Sequence, residues 1–205
     1  MMKLYYMPGA CSLATHILLR EAGEKFELEK VGRDKKTEKG SDFLLLNPKG
    51  YVPALQLEDG EIVTENVVLH QFIADKHHGH HLLPKHGTRE RLRADELMGY
   101  ITTEIHKTYS PLFGPTTPDD YKTAIREKLQ QRYQLIEDQL SDGRSYLLGE
   151  HFTTPDAYLF TVSRWAANTN VDLSKFPNIQ AWMKRVAERA AVKAALEAEG
   201  LVKAA

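Results

Sequence analysis

One cysteine, Cys11, stands where a short apolar run, Leu4-Tyr5-Tyr6, passes through Pro8-Gly9-Ala10 into Ser12 and a helical pattern. Pro8 and Gly9 punctuate the end of a strand, Ser12 is a favoured helix N-cap, and Leu13 and Ile17 carry the helical period to a stop at Gly23. A cysteine just outside a helix N-terminus meets free N–H groups and the positive end of the helix dipole, which favour the thiolate. A thiol pKa of ~8.5 falls to ~3.5–7.5 in such surroundings. Against this stands the commoner fate of a free cysteine, a small buried hydrophobe, and position alone leaves both readings open. A lone cysteine excludes an intramolecular disulfide and a CxxC couple, so any thiol chemistry takes its second sulfur from outside the chain.

Other chemistry-bearing residues carry bland readings when taken singly. Glu65-Asn66 marks a change from strand to helix and reads as a capped helix start. Lys35-Lys36 is solvated surface, and His106 is a boundary histidine. His77-His78-Gly79-His80-His81 suggests a metal site, yet a His tract without acid or cysteine partners has no preset geometry. It falls on a linker before Pro84 and Gly87 and reads as a solvated loop, with no metal assigned.

The elements that position these residues follow from periodicity. Phe26-Glu27-Leu28-Glu29-Lys30-Val31 alternates with period two, a half-buried strand, so a strand-helix-strand unit is complete by residue 31. Gly32 to Gly40 reads as a loop, and Ser41-Asp42 caps a short apolar segment that ends before Pro48. Turn formers from Asn47 to Pro53 lead into Ala54-Leu55-Gln56-Leu57, and Glu58-Asp59-Gly60 turns the chain back into Ile62-Val63-Thr64, an antiparallel hairpin. From Asn66 the pattern is helical. The first eighty residues thus read βαβ, a short helix, then ββα.

Everything after Thr88 reads helical. One long helix is expected from Thr88 to about Tyr109, with Ala94, Met98, Ile101, Ile105 and Leu112 on its core stripe and Gly99, Thr103 and His106 on another face. Thr117-Pro118-Asp119-Asp120 starts the next helix, with the proline at its first position, and it runs to Gly143. Thr153 and Asp156 form a capping box, read as structural, ahead of a helix that also carries Trp165. A last helical region begins at Pro177-Asn178 and tapers after Gly200.

Bulk properties narrow the function classes. A chain of 205 residues forms one large domain or two small ones with a real core. A net charge of -1, with basic residues scattered among acids, gives no electrostatic case for nucleic acid. No apolar run reaches the ~20 residues of a membrane helix and no signal-peptide pattern opens the chain, so a soluble cytoplasmic protein is expected.

The order βαβαββα, a cysteine after the first strand and a Val-Pro step before the third resemble the thioredoxin-like fold of glutathione transferases, and most closely the bacterial beta class. The resemblance is carried by Lys3-Leu4-Tyr5-Tyr6 and Pro8-Gly9-Ala10-Cys11-Ser12-Leu13, by Asn47-Pro48-Lys49-Gly50-Tyr51-Val52-Pro53-Ala54-Leu55, and by Thr64-Glu65. It continues through Glu104-Ile105-His106-Lys107, Pro111-Leu112-Phe113 and Asp156-Ala157-Tyr158-Leu159-Phe160. It implies a thioredoxin-like glutathione-binding domain over 1–80 and an all-helical domain over 88–205 that contributes a hydrophobic electrophile site. Pro53 would follow a cis bond, leaving the backbone of Val52 to pair with the cysteinyl part of glutathione as an added strand. Glu65 would accept the γ-glutamyl ammonium, the helix start at Asn66 its carboxylate, and Lys35 would help to hold the peptide. Cys11 and His106 would support the sulfur, with His106 facing the thiol across the cleft, and Trp165 would border the electrophile pocket. Asn66, where the family usually has Ser or Gly, and Gly99, where the beta class has Asn, depart from the pattern.

Three activities follow from this resemblance. The first is a detoxifying glutathione transferase that joins the glutathione thiol to small hydrophobic electrophiles, with glutathione as cosubstrate and a homodimeric assembly. The second is a glutathione-dependent thiol-disulfide oxidoreductase or peroxidase acting through a Cys11-glutathione mixed disulfide. The third is a noncatalytic scaffold, which the joint presence of Cys11, Val52-Pro53, Glu65 and His106 disfavours.

Overall fold

The computed structural model describes residues 1–77 and 81–202. The chain forms two compact units, Met1–Leu82 joined by the C-terminal segment from Arg189, and Leu83–Glu188. Of the histidine tract, His78, Gly79 and His80 lie outside the described residues.

The first unit is built on a four-stranded sheet of order β2-β1-β3-β4, with β1 Met2–Tyr6, β2 Phe26–Lys30, β3 Ala54–Gln56 and β4 Ile62–Thr64. Leu4 lies opposite Leu28 in the parallel β1-β2 pair and opposite Leu55 in the antiparallel β1-β3 pair. A parallel pair needs a crossover, and α1 (Ser12–Glu21) supplies it. Residues 12 to 19 of α1 are all buried, because α1 packs against both α3 (Asn66–Lys76) and the C-terminal α10 (Ala190–Ala198). The helical domain drawn to 205 from sequence therefore gives up its last helix. Val192, Ala195 and Leu196 form the buried face of α10, and Arg189 grips the Glu21 carboxylate through two N–H groups, at 2.6 and 2.8 Å. The short helix α2 (Phe43–Leu46) is capped by Asp42, which accepts from Leu44 N–H, and buries Phe43 among Tyr5, Val31 and Ala54. Val52 packs on the edge of this cluster.

In the second unit, Thr88 caps α4 (Arg89–Tyr100) by accepting from Arg91 N–H, and of the expected stripe Ala94, Met98, Ile101 and Ile105 are buried while Leu112, beyond the helix, is only half-buried. The single helix expected to Tyr109 is interrupted by a π turn over Ile101–His106, before α5 (Lys107–Tyr109) and a 3-10 turn, Ser110–Phe113. The apolar stripe runs straight through the bulge, so the period gave no sign of it. Helix α6 (Asp119–Leu140) uses Pro118 as its N-cap rather than as its first residue, and stops short of Gly143.

Helix α7 (Thr154–Ser163) is buried on every side, which its capping box makes possible. Thr153 N–H donates to Asp156 Oδ2, while Leu147 N–H (2.9 Å) and Trp182 Nε1–H (2.8 Å) donate to Oδ1. Burial pushes the Asp156 carboxyl up even so. Trp165 lies beyond α7, capping the short α8 (Ala166–Thr169), and Trp182 belongs to α9 (Pro177–Ala187).

Candidate active site

Cys11, not Ser12, is the N-cap of α1, and its side chain makes no capping bond. Ser12 is the first helical residue. Its hydroxyl accepts from Met7 N–H (3.2 Å) and donates to Met7 C=O (3.3 Å), closing the turn that leads to the cysteine. Across the sheet, the Val52-Pro53 peptide is cis, and Cys11 Sγ donates to the Val52 carbonyl at 3.1 Å. Burial pushes the Cys11 thiol up to about 11, while the Asn66 side chain and the N–H groups of Cys11 and Ser12 pull it down without prevailing. Burial thus works against the thiolate that the helix dipole favours. An acceptor on the S–H and the cost of burying a charge outweigh the dipole.

Asn66 opens α3 and is buried, with its Oδ1 accepting from Thr15 Oγ1 at 2.9 Å, so its amide ties α3 to α1 beside the thiol. Glu65, the N-cap of α3, has φ 73 and makes no side-chain cap. Its exposed carboxylate faces Lys49 Nζ at 3.0 Å, and the same ammonium donates to Thr64 Oγ1 at 2.9 Å. Lys35, at φ 64, donates from Nζ to Gly50 C=O at 2.7 Å and lies over the ring of Tyr51. The first unit therefore brings Cys11, Val52 and Asn66 together, with Glu65 and Lys35 engaged by Lys49 and Gly50.

In the second unit His106 ends the π turn, an element that recurs at functional sites. Its Nδ1 is 2.6 Å from the Tyr158 hydroxyl, and its ring meets Trp165 edge-on at 5.1 Å. Trp165 also takes the edges of Tyr109 (5.6 Å) and Phe113 (5.3 Å), and Phe113 is exposed, so the cluster presents an aromatic edge to solvent. A Cβ added at Gly99 would meet nothing within 4 Å. Among the described residues no group of three His, Cys, Asp or Glu side chains is placed to hold a metal ion.

Family models for the glutathione S-transferase N-terminal domain and C-terminal domain match residues 9–76 and 100–190. The glutathione S-transferase GstA of Escherichia coli O157:H7 is 46% identical over 98% of this chain and 100% of its own. The chain belongs to the glutathione S-transferase family. A sphingomonad glutathione S-transferase complexed with glutathione is 41% identical with a TM-score of 0.93, covering 98% of this chain and 100% of that one. The beta-class glutathione S-transferase of Sphingomonas chungbukensis is 42% identical at the same TM-score and coverage. The beta-class resemblance carried by the motifs is borne out, as is the thioredoxin-like sheet followed by a helical glutathione S-transferase domain.

Two polar partners of the candidate residues were not among those read from the sequence, one in each unit. Lys49 belonged to a turn-rich motif that also carries the resemblance, yet nothing local pointed it at Glu65, sixteen residues on. Tyr158 belonged to a motif that was recognised, but its bond to His106 spans 52 residues. No period or motif reports such a pair.

Proposed function

We propose that this protein is a glutathione transferase that joins the sulfur of glutathione to small hydrophobic electrophiles. A carbon–sulfur bond forms, and either a leaving group departs with its electron pair or the electrophile takes up a proton. Glutathione is the cosubstrate and no metal takes part. The observation that carries this reading is the Cys11 thiol donating to the Val52 carbonyl, with burial pushing that thiol up. A half-buried cysteine whose thiol is pushed up is a poor covalent nucleophile, which disfavours exchange through a Cys11 mixed disulfide. It is a competent hydrogen-bond donor. As the peptide adds to the Val52 backbone like an extra strand, its cysteinyl N–H takes over that carbonyl and Cys11 S–H turns to the incoming sulfur. Donors preset around a developing anion stabilise it without reorganisation.

Glu65 exchanges Lys49 for the γ-glutamyl ammonium, Asn66 and the α3 start receive the adjoining carboxylate, and Lys35 adds a cation. His106, held by Tyr158, is assigned to support of the sulfur, and Trp165 with its aromatic neighbours to the electrophile. The first domain is thus the glutathione domain and the helical one the electrophile domain. A cytoplasmic, homodimeric, detoxifying enzyme completes the proposal. Assays at saturating glutathione with an activated aryl halide and with a mixed disulfide test it: conjugation with weak exchange is expected. Exchange without conjugation would overturn it in favour of the oxidoreductase, and neither activity would favour a scaffold.

A further inference from the structure

The turn that carries Cys11 is tied to the far end of the chain. Gly9, with φ 71, donates its N–H to Glu199 Oε2 at 2.9 Å. Glu199 is the C-cap of α10 and is buried. Its other oxygen, Oε1, lies 2.8 Å from Nδ1 of His16, which is fully buried on α1, and Nε2 of His16 takes Arg20 Nε–H at 2.8 Å. Arg20 can only donate, so Nε2 is the bare ring nitrogen and Nδ1 carries the proton given to Glu199. Leu201 closes the same turn, with Cδ2 3.3 Å from where a Cβ on Gly9 would stand.

We infer that Glu199 is a positioning residue that sets the Met7–Cys11 turn, and through it the thiol, by joining Gly9 to the His16-Arg20 pair. Ala10 N–H and Ser12 close the turn through Met7, and Glu199 adds the bond that holds the Gly9 peptide, a glycine with little conformational preference of its own. A buried carboxylate is costly unless it is fully engaged, and here both oxygens are engaged toward one purpose. The bonded residues come from three elements separated by up to 190 positions, so helix packing alone does not need them. Finally, Gly9 is two residues from the thiol, whereas Glu199 touches no reacting atom.

The inference rests on the transferase reading for its kinetic arm but not for its chemical arm. Because Cys11 is the only cysteine, alkylation by iodoacetamide reads that thiol alone, with no turnover required. Glu199→Gln keeps the shape and turns one of the two acceptor oxygens into an NH2 donor, which must face either the Gly9 N–H or the His16 Nδ1–H. It is expected to speed Cys11 alkylation and raise the KM for glutathione, each on the order of tenfold, with kcat far less changed. Leu196→Ala, which trims the buried face of α10 and leaves the network whole, is expected to lower Tm with neither quantity moved. A folded Glu199→Gln protein with wild-type alkylation rate and KM overturns the inference, as does a Leu196→Ala protein that reproduces both changes. If Glu199→Gln does not fold, hydrogen exchange in the wild type decides. A Gly9 amide protected like the core of α1 supports the tie, and one exchanging at loop rates overturns it. A wild type without conjugating activity would remove the transferase reading while leaving the alkylation and exchange results to stand on their own.

Discussion

The starts of α1 and α7 solve the same problem in opposite ways. Every helix begins with N–H groups that lack an intrahelical acceptor. At α7 the chain satisfies them itself, through Thr153 and Asp156, and the helix is then buried along its whole length. At α1 the N-cap is a cysteine whose side chain turns away to the Val52 carbonyl, and α3 likewise begins at a Glu65 whose carboxylate reaches out to Lys49. A helix start that is capped by its own sequence serves the fold. One that spends its side chain elsewhere keeps its polar groups for something that arrives later.

The largest expected effect falls on the capped start. Asp156→Ala removes the acceptor from Trp182 Nε1–H, Leu147 N–H and Thr153 N–H in a buried setting, and the expected loss is about 3–5 kcal/mol of stability in urea denaturation. A loss under about 1 kcal/mol would put this carboxylate on a par with a surface cap and erase the contrast.

Next comes the pH dependence of the α1 start. The Cys11 thiol titrates near 9.0 in the open chain and at about 11 when folded. Between those values the unfolded chain has lost the proton that the folded protein keeps, so stability falls as pH rises. The contribution is whole below pH 9 and gone above pH 11, on the order of 3 kcal/mol. Denaturation of the wild type and of Cys11→Ala at pH 8 and pH 10.5 should show the extra loss only in the wild type. Equal slopes would mean that the dipole, not burial, governs this thiol.

That point marks where the sequence stopped being legible. Strands β1 to β4 and the helices between them were readable because short apolar runs end at turns of Gly, Pro or Asp, although the alternation in β2 is not its burial pattern, since Glu29 on its polar side is buried. The box at Thr153 was readable because its partners are three residues apart. The state of Cys11 was not, since a helix start is visible in sequence but the carbonyl that takes its proton is 41 residues away. The same holds for Lys49 with Glu65, for Glu199 with Gly9, and for the π turn that aims His106 without breaking the apolar stripe. Local order was written locally; the site's chemistry was written in pairs that only the fold brings together.

Glu65→Ala sharpens the contrast from the α3 side. Its exposed pair with Lys49 is worth about 0–1 kcal/mol, so Tm should hardly move. The lost charge-assisted contact to the γ-glutamyl ammonium should weaken glutathione binding by about 1.5–3 kcal/mol in calorimetry. Unchanged affinity in a folded variant would make α3 an ordinary helix start and remove Glu65 from the site.

The smallest effect is expected at Tyr158, where the second unit's capped helix meets its catalytic candidate. Tyr158 lies on α7 and is buried, so Phe fits its place and only the hydroxyl is lost. That hydroxyl bonds His106 Nδ1 at 2.6 Å, and such a bond holds how the ring is turned. The stability cost of Tyr158→Phe should be about 0.5–1.5 kcal/mol, the net worth of one hydrogen bond. The kinetic cost should appear in kcat, because a ring free to turn presents the wrong nitrogen part of the time while the glutathione contacts of the first unit are untouched. A fall in kcat of a few-fold with unchanged KM for glutathione is the expected result. A Tyr158→Phe enzyme that keeps its kcat would show that the π turn and the edge of Trp165 suffice to aim His106, and the rigidity of α7 would then serve only the core.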